Sequence, residues 1–268
     1  MRDSKIIKNK PYNPLILLTN DDGFFSEGIQ VLKNKLSENG EIYIVAPDNE
    51  KSATSLALTL HHPLRVKKID STTYAVSGTP ADCIYLAIQN ILPSKPDLII
   101  SGMNPGPNLG QQDISYSGTV AGAIQGTFLD IPSIAVSTLP DKNGKFYFDF
   151  AANFILSLSK NLIRHPLPKG VTININIPSP PVKGIKLAKL GQKIYHPEIV
   201  SKKDPRERDY FWIGTGMPRA IGDKDSDVNV IQTGYITVTP LHRDMTDYET
   251  LKNNDLSDLF QRSKYEFS

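Results

Sequence analysis

The sequence predicts an α/β fold, a parallel sheet with helices on its faces, and three features carry that prediction. Leu15, Ile16, Leu17 and Leu18 form an unbroken apolar run, which suits a strand buried on both sides. Gly28 to Asn39 then sets Ile29, Leu32 and Leu36 at helical spacing before Gly40, and Glu41 to Ala46 returns as a second strand, giving the order βαβ. The polar stretches rich in Gly, Asp and Asn follow these strands, at the carboxyl ends where open α/β sheets hold their ligands.

The remaining elements follow in order. Ser55 to Leu60, Leu64 to Ile69 and Thr73 to Val76 alternate enough to be short strands or a hairpin excursion, turning at His61, His62 and Pro63. Thr79 and Pro80 have the chemistry of an N-cap and a first helical residue, and the apolar positions from Ile84 to Ile91 continue that helix. Pro96 to Ser101 is a buried-type strand, and Gly102 to Ser117 is predicted as a long polar loop. Ser117 caps a helix to Gly126 with small residues at Ala121, Gly122 and Ala123. Ile131 to Ser137 is a strand, Phe148 to Ile163 a helix, and Val171 to Ile177 a further strand. Pro178, Pro180 and Pro181 then break the rhythm, which divides the chain into a core of residues 1–180 and a smaller part of residues 181–268. There, Lys183 to Leu190 and Arg208 to Ile213 are expected to be arms of an extended hairpin, with Lys202 to Asp209 a solvated loop. Gly234 to Pro240 is expected as a strand and Asp247 to Arg262 as a terminal helix.

Composition narrows the function classes. A net charge of +2 with 22% charged residues gives no electrostatic reason for a nucleic-acid duplex or a membrane as partner. Cys83 is the single cysteine, so no internal disulfide forms, and a buried thiol in a reducing compartment is expected. The polar, basic Met1 to Lys10 has no apolar leader core, and a cytoplasmic location is the expectation. Gly-x-Gly-x-x-Gly after the first strand, the Walker Gly-Lys-Ser/Thr and the Gly-x-Ser-x-Gly elbow are all missing, which argues against a dehydrogenase, a P-loop NTPase and a serine hydrolase.

What the first strand delivers is Asn20-Asp21-Asp22-Gly23. Adjacent carboxylates repel, and burying one without a partner is expensive, so a hard divalent cation held by oxygen ligands is expected there. The same four residues are also ordinary turn formers. Three other stretches fall at predicted strand ends: the loop containing Ser52, Asn104, and the helix opening at Ser117. Asp21 and Asp22 would supply charge and Ser52 and Asn104 neutral oxygens to the cation. Ser117, Gly118 and Thr119 at a helix N-terminus, with Asn108 nearby, offer donors to a phosphate, although for Ser117 or Thr119 taken alone plain capping is the favoured explanation.

These blocks occur together in one known family. Leu-Leu-Thr-Asn-Asp-Asp-Gly, Val-Ala-Pro-Asp with Ser52, Ser77-Gly-Thr-Pro-Ala-Asp-Cys83, the run Asp97 to Asn104, Asn108-Leu-Gly110, Tyr116-Ser-Gly-Thr-Val120 and Gly234 to His242 together resemble the SurE family of stationary-phase survival nucleotidases. The resemblance implies a Rossmann-like, three-layer core with extended hairpin arms in the C-terminal part. It implies one divalent metal ion per subunit, Mg²⁺ or Mn²⁺ with Ca²⁺ as an alternative, and release of phosphate from nucleoside 5′-monophosphates, with 3′-monophosphates and short polyphosphate as further substrates. A homodimer or homotetramer with exchanged C-terminal elements is also implied.

Carried over by position, the metal ligands are Asp21, Asp22, Ser52 and Asn104, and the phosphate is held by Asn108, Ser117, Gly118 and Thr119. Asp21, Asp22, Asn20 and His242 form the expected catalytic group, His242 as a proton donor or phosphate contact. Water activated by the cation is the expected nucleophile, and direct attack by Asp21 is the alternative. A non-catalytic nucleotide-binding module of the stress response is the rival reading. Three positions depart from the family pattern: Ala53 stands where Gly is usual, Pro105 and Pro107 flank Gly106, and Ser26-Glu27 replaces Ala-Pro.

Overall fold

The computed structural model describes residues 13–253 apart from 197, 215 and 217. In chain order the elements are β1 (Leu15–Thr19), α1 (Glu27–Leu36), β2 (Glu41–Pro47), β3 (Val66–Lys68), β4 (Thr73–Val76), α2 (Pro80–Leu86), β5 (Leu98–Pro105), α3 (Gly110–Tyr116), α4 (Gly118–Phe128), β6 (Ser133–Thr138) and α5 (Phe148–Arg164). They continue as β7 (Val171–Ile177), β8 (Ile185–Leu187), β9 (Gln192–Ile194), β10 (Ile199–Lys203), β11 (Asp209–Ile213), β12 (Arg219–Ile221), α6 (Asp227–Val230), β13 (Ile236–His242) and α7 (Tyr248–Asn253).

One main sheet organises the chain in the order β3-β4-β2-β1-β5-β6-β7-β13-β8. The run from β4 to β7 is parallel throughout. Reversed strands close it, β3 against β4 at one edge and β13 against β7 toward the other. Side chains along β1 alternate between two cores, as a doubly covered strand requires. Ile16 and Leu18 pack with Ile29, Leu32 and Leu36 of α1 and Ala151 and Ile155 of α5, while Leu17 packs with Cys83 and Ile84 of α2 on the opposite face. Helix, sheet and helix make three layers, the Rossmann-like α/β architecture that the sequence predicts.

The order also fixes where a ligand binds. From β1 the chain winds outward through β2 and β4, then returns to β5 on the other flank of β1. The strand order therefore reverses between β1 and β5, and a crevice opens beyond their carboxyl ends. Asp21 follows β1 by two residues, and Asn104 lies near the end of β5.

Several local expectations need correction. Ser55 to Leu60 forms no strand: its polar groups bond instead to the start of α2, Thr59 N and Oγ1 donating to Asp82 at 2.9 and 2.6 Å and Thr79 Oγ1 donating to the Ala57 carbonyl at 2.7 Å. Of Leu64 to Ile69, only β3 pairs. The stretch from Gly102 is no simple loop, because β5 runs on to Pro105 beside β6 with a shift in register, and α3 occupies Gly110–Tyr116. The hairpin forms between β10 and β11, so Lys202 and Lys203 belong to a strand. Lys183 to Leu190 is not its other arm, since β8 joins the main sheet parallel to β13. Helix α1 ends at Leu36, short of Asn39. The expected terminal helix is present as α7, and the rest of it, from residue 254, lies outside the described residues, as does the segment Met1 to Lys10.

Candidate active site

The site grows from the turn that ends β1. The Asn20 side-chain amide donates to the Gly23 carbonyl at 3.0 Å and to Ser26 Oγ at 2.7 Å, folding residues 20–26 back on themselves. Phe24 N donates to the Pro47 carbonyl at 2.9 Å, and Lys51 N donates to the Asp21 carbonyl at 2.7 Å. The turn after β1 and the loop after β2 are thus bonded to each other, with both acidic residues between them.

Helix α4 begins against Asp21. The Thr119 hydroxyl donates to Asp21 Oδ1 at 2.5 Å, and its backbone N–H also favours the Asp21 anion. A methyl group on Gly118 would lie 2.7 Å from Asp21 Cβ, so only glycine admits this approach. Ser117 Oγ accepts from Val120 N at 3.1 Å, which is plain N-capping. The Asp21 carboxylate thus sits at this helix N-terminus, and Thr119, expected on the phosphate, bonds to it through its hydroxyl.

Electrostatically the pair is under tension. Burial, outweighing the bonds from Thr119, lifts the Asp21 carboxyl above its ordinary value. Burial, followed by the charges of Asp21 and Glu50, pushes Asp22 up to about 7. Asp22 Oδ2 is buried without a hydrogen-bond partner, as is Asn20 Oδ1 beside it. Among the described residues no Lys, Arg or His forms an ion pair with either aspartate. Two acids held this way lack a counter-charge, which a hard cation would supply. Asn104 suits that role: its amide nitrogen donates to the Gly106 carbonyl at 2.8 Å, which leaves Oδ1 as its free donor atom.

The other expected residues lie around this centre in different ways. Ser52 is exposed, and its hydroxyl donates to Glu50 Oε1 at 2.6 Å. Glu50 was not singled out by sequence reasoning, although its place in the loop after β2, two residues before Ser52, was the available signal. Asn108 is buried and committed to structure: its Nδ2 donates to Ser137 Oγ at 2.8 Å, its N–H to Asn176 Oδ1 at 2.9 Å, and its carbonyl accepts from Asn174 and Asn176.

His242 is not brought to the site by this chain. It ends β13, antiparallel to β7, and lies opposite Val171, the first residue of β7. That puts it at the amino-end edge of the parallel strands, whereas Asp21 lies past the carboxyl end of β1. Five residues of strand at about 3.3 Å each separate the two edges. Within one chain His242 therefore stands apart from the acid pair, because a signature segment read along the chain does not reveal which way its strand runs in the sheet.

The C-terminal part does reach α3, the helix leading into Ser117. Lys193 Nζ and Tyr195 OH donate to Asp113 at 2.5 and 2.6 Å, and Asp227 accepts from Gly110 N and Gly191 N, both at 2.8 Å. Asp113 in turn offers its carbonyl to Ser117 N at 2.9 Å.

Comparison with known proteins finds relatives along most of the chain. The chain is 44% identical over 239 residues to 5′-nucleotidase SurE of Geotalea uraniireducens, covering 88% of this chain and 96% of that one. It is 42% identical over 244 residues to 5′-nucleotidase SurE of Gemmatimonas aurantiaca, covering 89% and 96%. The crystal structure of the SurE protein from Aquifex aeolicus superposes with a TM-score of 0.77 at 38% identity, over 91% of this chain and all of that one. The family described as Survival protein SurE matches residues 16–197, a span that takes in the acidic turn, the loop after β2, the end of β5 and the start of α4. With that match, and with relatives alike over nearly their whole length, the chain belongs to the Survival protein SurE family.

Proposed function

We propose that this chain is a divalent-metal-dependent phosphatase that releases phosphate from nucleoside 5′-monophosphates, with 3′-monophosphates and short polyphosphate as further substrates. The observation that carries this reading is the pair Asp21 and Asp22 at the switch point of the sheet, with Asp22 Oδ2 buried and unpartnered. The relatives named 5′-nucleotidase SurE supply the reaction class. Asp21, Asp22 and Asn104 would hold one Mg²⁺ or Mn²⁺ per subunit, with Ser52 completing the set once its hydroxyl turns from Glu50. When bound, the ion offsets the charge of the acid pair and polarises the phosphate oxygens and water at the site.

The chain's own residues do the rest. Thr119 and Gly118 fix Asp21, Asn20 locks the turn that carries both acids, and Ser117 caps the helix whose N-terminus faces the reacting group. Asn108, tied to Asn174 and Asn176, holds the start of α3 against the ends of β6 and β7 and so shapes the phosphate pocket. Asp21 is the carboxylate to which the alternative, direct attack on phosphorus, would fall.

The division at residues 180 and 181 is part of the same reading, with the C-terminal part serving assembly into a homodimer or homotetramer by exchange of C-terminal elements. The β10–β11 hairpin supports it, because Phe211 and Ile213 stand exposed and Trp212 is 65% exposed. No helix among the described residues is long and apolar enough to cross a membrane, and we place the protein in the cytoplasm.

The test is phosphate release from a panel of nucleoside 5′- and 3′-monophosphates with Mg²⁺, Mn²⁺ or chelator, for the native chain and Asp22→Asn. Metal-dependent release that the substitution abolishes is the expected result. Well-folded protein that binds nucleotide and never turns it over would put the non-catalytic module in its place.

A further inference from the structure

We propose that Phe25 is the platform on which the nucleobase of the substrate stacks, an inference that rests on the nucleotidase reading above. Phe25 lies three residues beyond Asp22 on the same turn, and the residue is 62% exposed. An exposed phenylalanine is ordinary by itself. What sets this one apart is its place on the turn that carries the acid pair, between backbone hydrogen-bonded on both sides.

Its neighbours on both sides are fixed. The ring packs against Gly23, where a Cβ would fall 3.1 Å from its edge, and meets Phe24 edge-on with centroids 5.5 Å apart. Phe24 is bonded through its N–H to Pro47 and packs on the main core, while Ser26 donates its N–H to the Gly23 carbonyl at 3.1 Å and accepts from Asn20. A flat apolar face exposed on a turn tied down by hydrogen bonds loses less freedom on binding than one on an untied loop, which suits a stacking surface. In a nucleoside monophosphate one ribose separates phosphate from base, so phosphate at the acid pair leaves the base to be met at the rim. Stacking on an aromatic ring tolerates every base, and a bare phenyl ring adds no hydrogen bonds. Preference should follow stacking area, with purines ahead of pyrimidines.

Tyr116, 56% exposed next to Ser117, is the competing ring. It is the comparison that the experiment needs.

Adenosine 5′-monophosphate and ribose 5-phosphate, which differ by the base, are the probes, the latter measured as substrate or as competitive inhibitor. Hydrolysis of the nucleotide by the native chain comes first, and its failure sinks the nucleotidase reading and this proposal with it. Given that activity, Phe25→Ala should raise KM for the nucleotide about 5- to 100-fold, leave the constant for ribose 5-phosphate unchanged, and be rescued by Phe25→Trp. Equal changes for both probes would make Phe25 a structural part of the turn and overturn the proposal. So would no change for either probe, or a nucleotide-selective defect in Tyr116→Ala in place of Phe25→Ala.

Discussion

The hydroxyl of Thr119 donates to Asp21 Oδ1 at 2.5 Å across 98 residues of sequence, tying the first helical turn of α4 to the acid that ends β1. A hydrogen bond to a charged group contributes about 1.5–3 kcal/mol, and here it holds Asp21 Oδ1 while Oδ2 lies against Gly118. Thr119→Val keeps shape and removes the donor. Its kcat/KM should fall about 10- to 100-fold, with weaker Mn²⁺ binding in calorimetry, while Thr119→Ser stays near native. Inhibition by inorganic phosphate should change little. If phosphate inhibition weakens and Mn²⁺ affinity holds, Thr119 serves the phosphate, as its position in the sequence first suggested.

Asp22 gives the chain a pH signature. Its carboxyl is lifted from the ordinary carboxylate range to about 7, first by burial and then by Asp21 and Glu50. Between those values the folded chain binds a proton that the unfolded chain lacks, so the stability of the metal-free protein falls as pH rises through that window. A cation that binds the ionised pair opposes the loss. Melting of chelator-treated protein should occur at a lower temperature at pH 8 than at pH 5. A saturating divalent cation should raise it by about 5 °C or more at pH 8 and by much less at pH 5. A cation effect of equal size in Asp22→Asn would place the ion elsewhere.

Asp113 and Lys193 make a different kind of bond, joining the C-terminal part to the helix that leads into Ser117. The pair is 2.5 Å apart with side chains only 8% and 14% exposed. Removing Lys193 leaves the buried Asp113 carboxylate with only the Tyr195 hydroxyl and the Leu109 N–H as partners, and breaking such a pair costs about 3–5 kcal/mol. Lys193→Met should therefore lower the melting temperature by roughly 10 °C and depress kcat even where the chain is fully folded, because Ser117 N hangs on the Asp113 carbonyl. The double variant Asp113→Asn/Lys193→Met should recover most of the stability. A double-mutant cycle with no coupling between the two would disprove the clamp.

How much of this was legible beforehand depended on whether the signal was local. Leu15 to Leu18, the cap at Thr79 and Pro80, and the acids following β1 are written in adjacent residues, and parallel-sheet physics places ligands after such strands. The fate of α3 is not local. Gly110 to Tyr116 is polar, buries only Gly110, and is held by Asp227, Lys193 and Tyr195 from much later in the chain. Strands β8 and β9 have three residues each with none fully buried, so no inside-outside alternation announces their partners. The role of Thr119 was hidden for a related reason. A Ser-Gly-Thr helix start looks the same whether it receives a substrate's phosphate or lies against the protein's own carboxylate, and the close approach of Gly118 to Asp21 shows only in the structure.

His242 provides the plainest contrast between sequence and sheet. It closes a segment that matches the family's C-terminal signature, yet β13 runs against β7 and carries it to the edge of the sheet away from Asp21. There its Nδ1 accepts from Asp244 N at 3.1 Å on an exposed turn, and Nε2 lies beside Gly170. A group so placed lies out of reach of the acid pair of its own chain. His242→Ala should accordingly keep kcat and KM within about twofold of native, since surface changes away from special features shift stability by only about 0.5 kcal/mol. Its pH–rate profile should overlie that of the native chain. A tenfold loss in kcat at unchanged association state, or a missing acidic or basic limb in that profile, would return His242 to the catalytic group, and the histidine would then have to come from a neighbouring subunit.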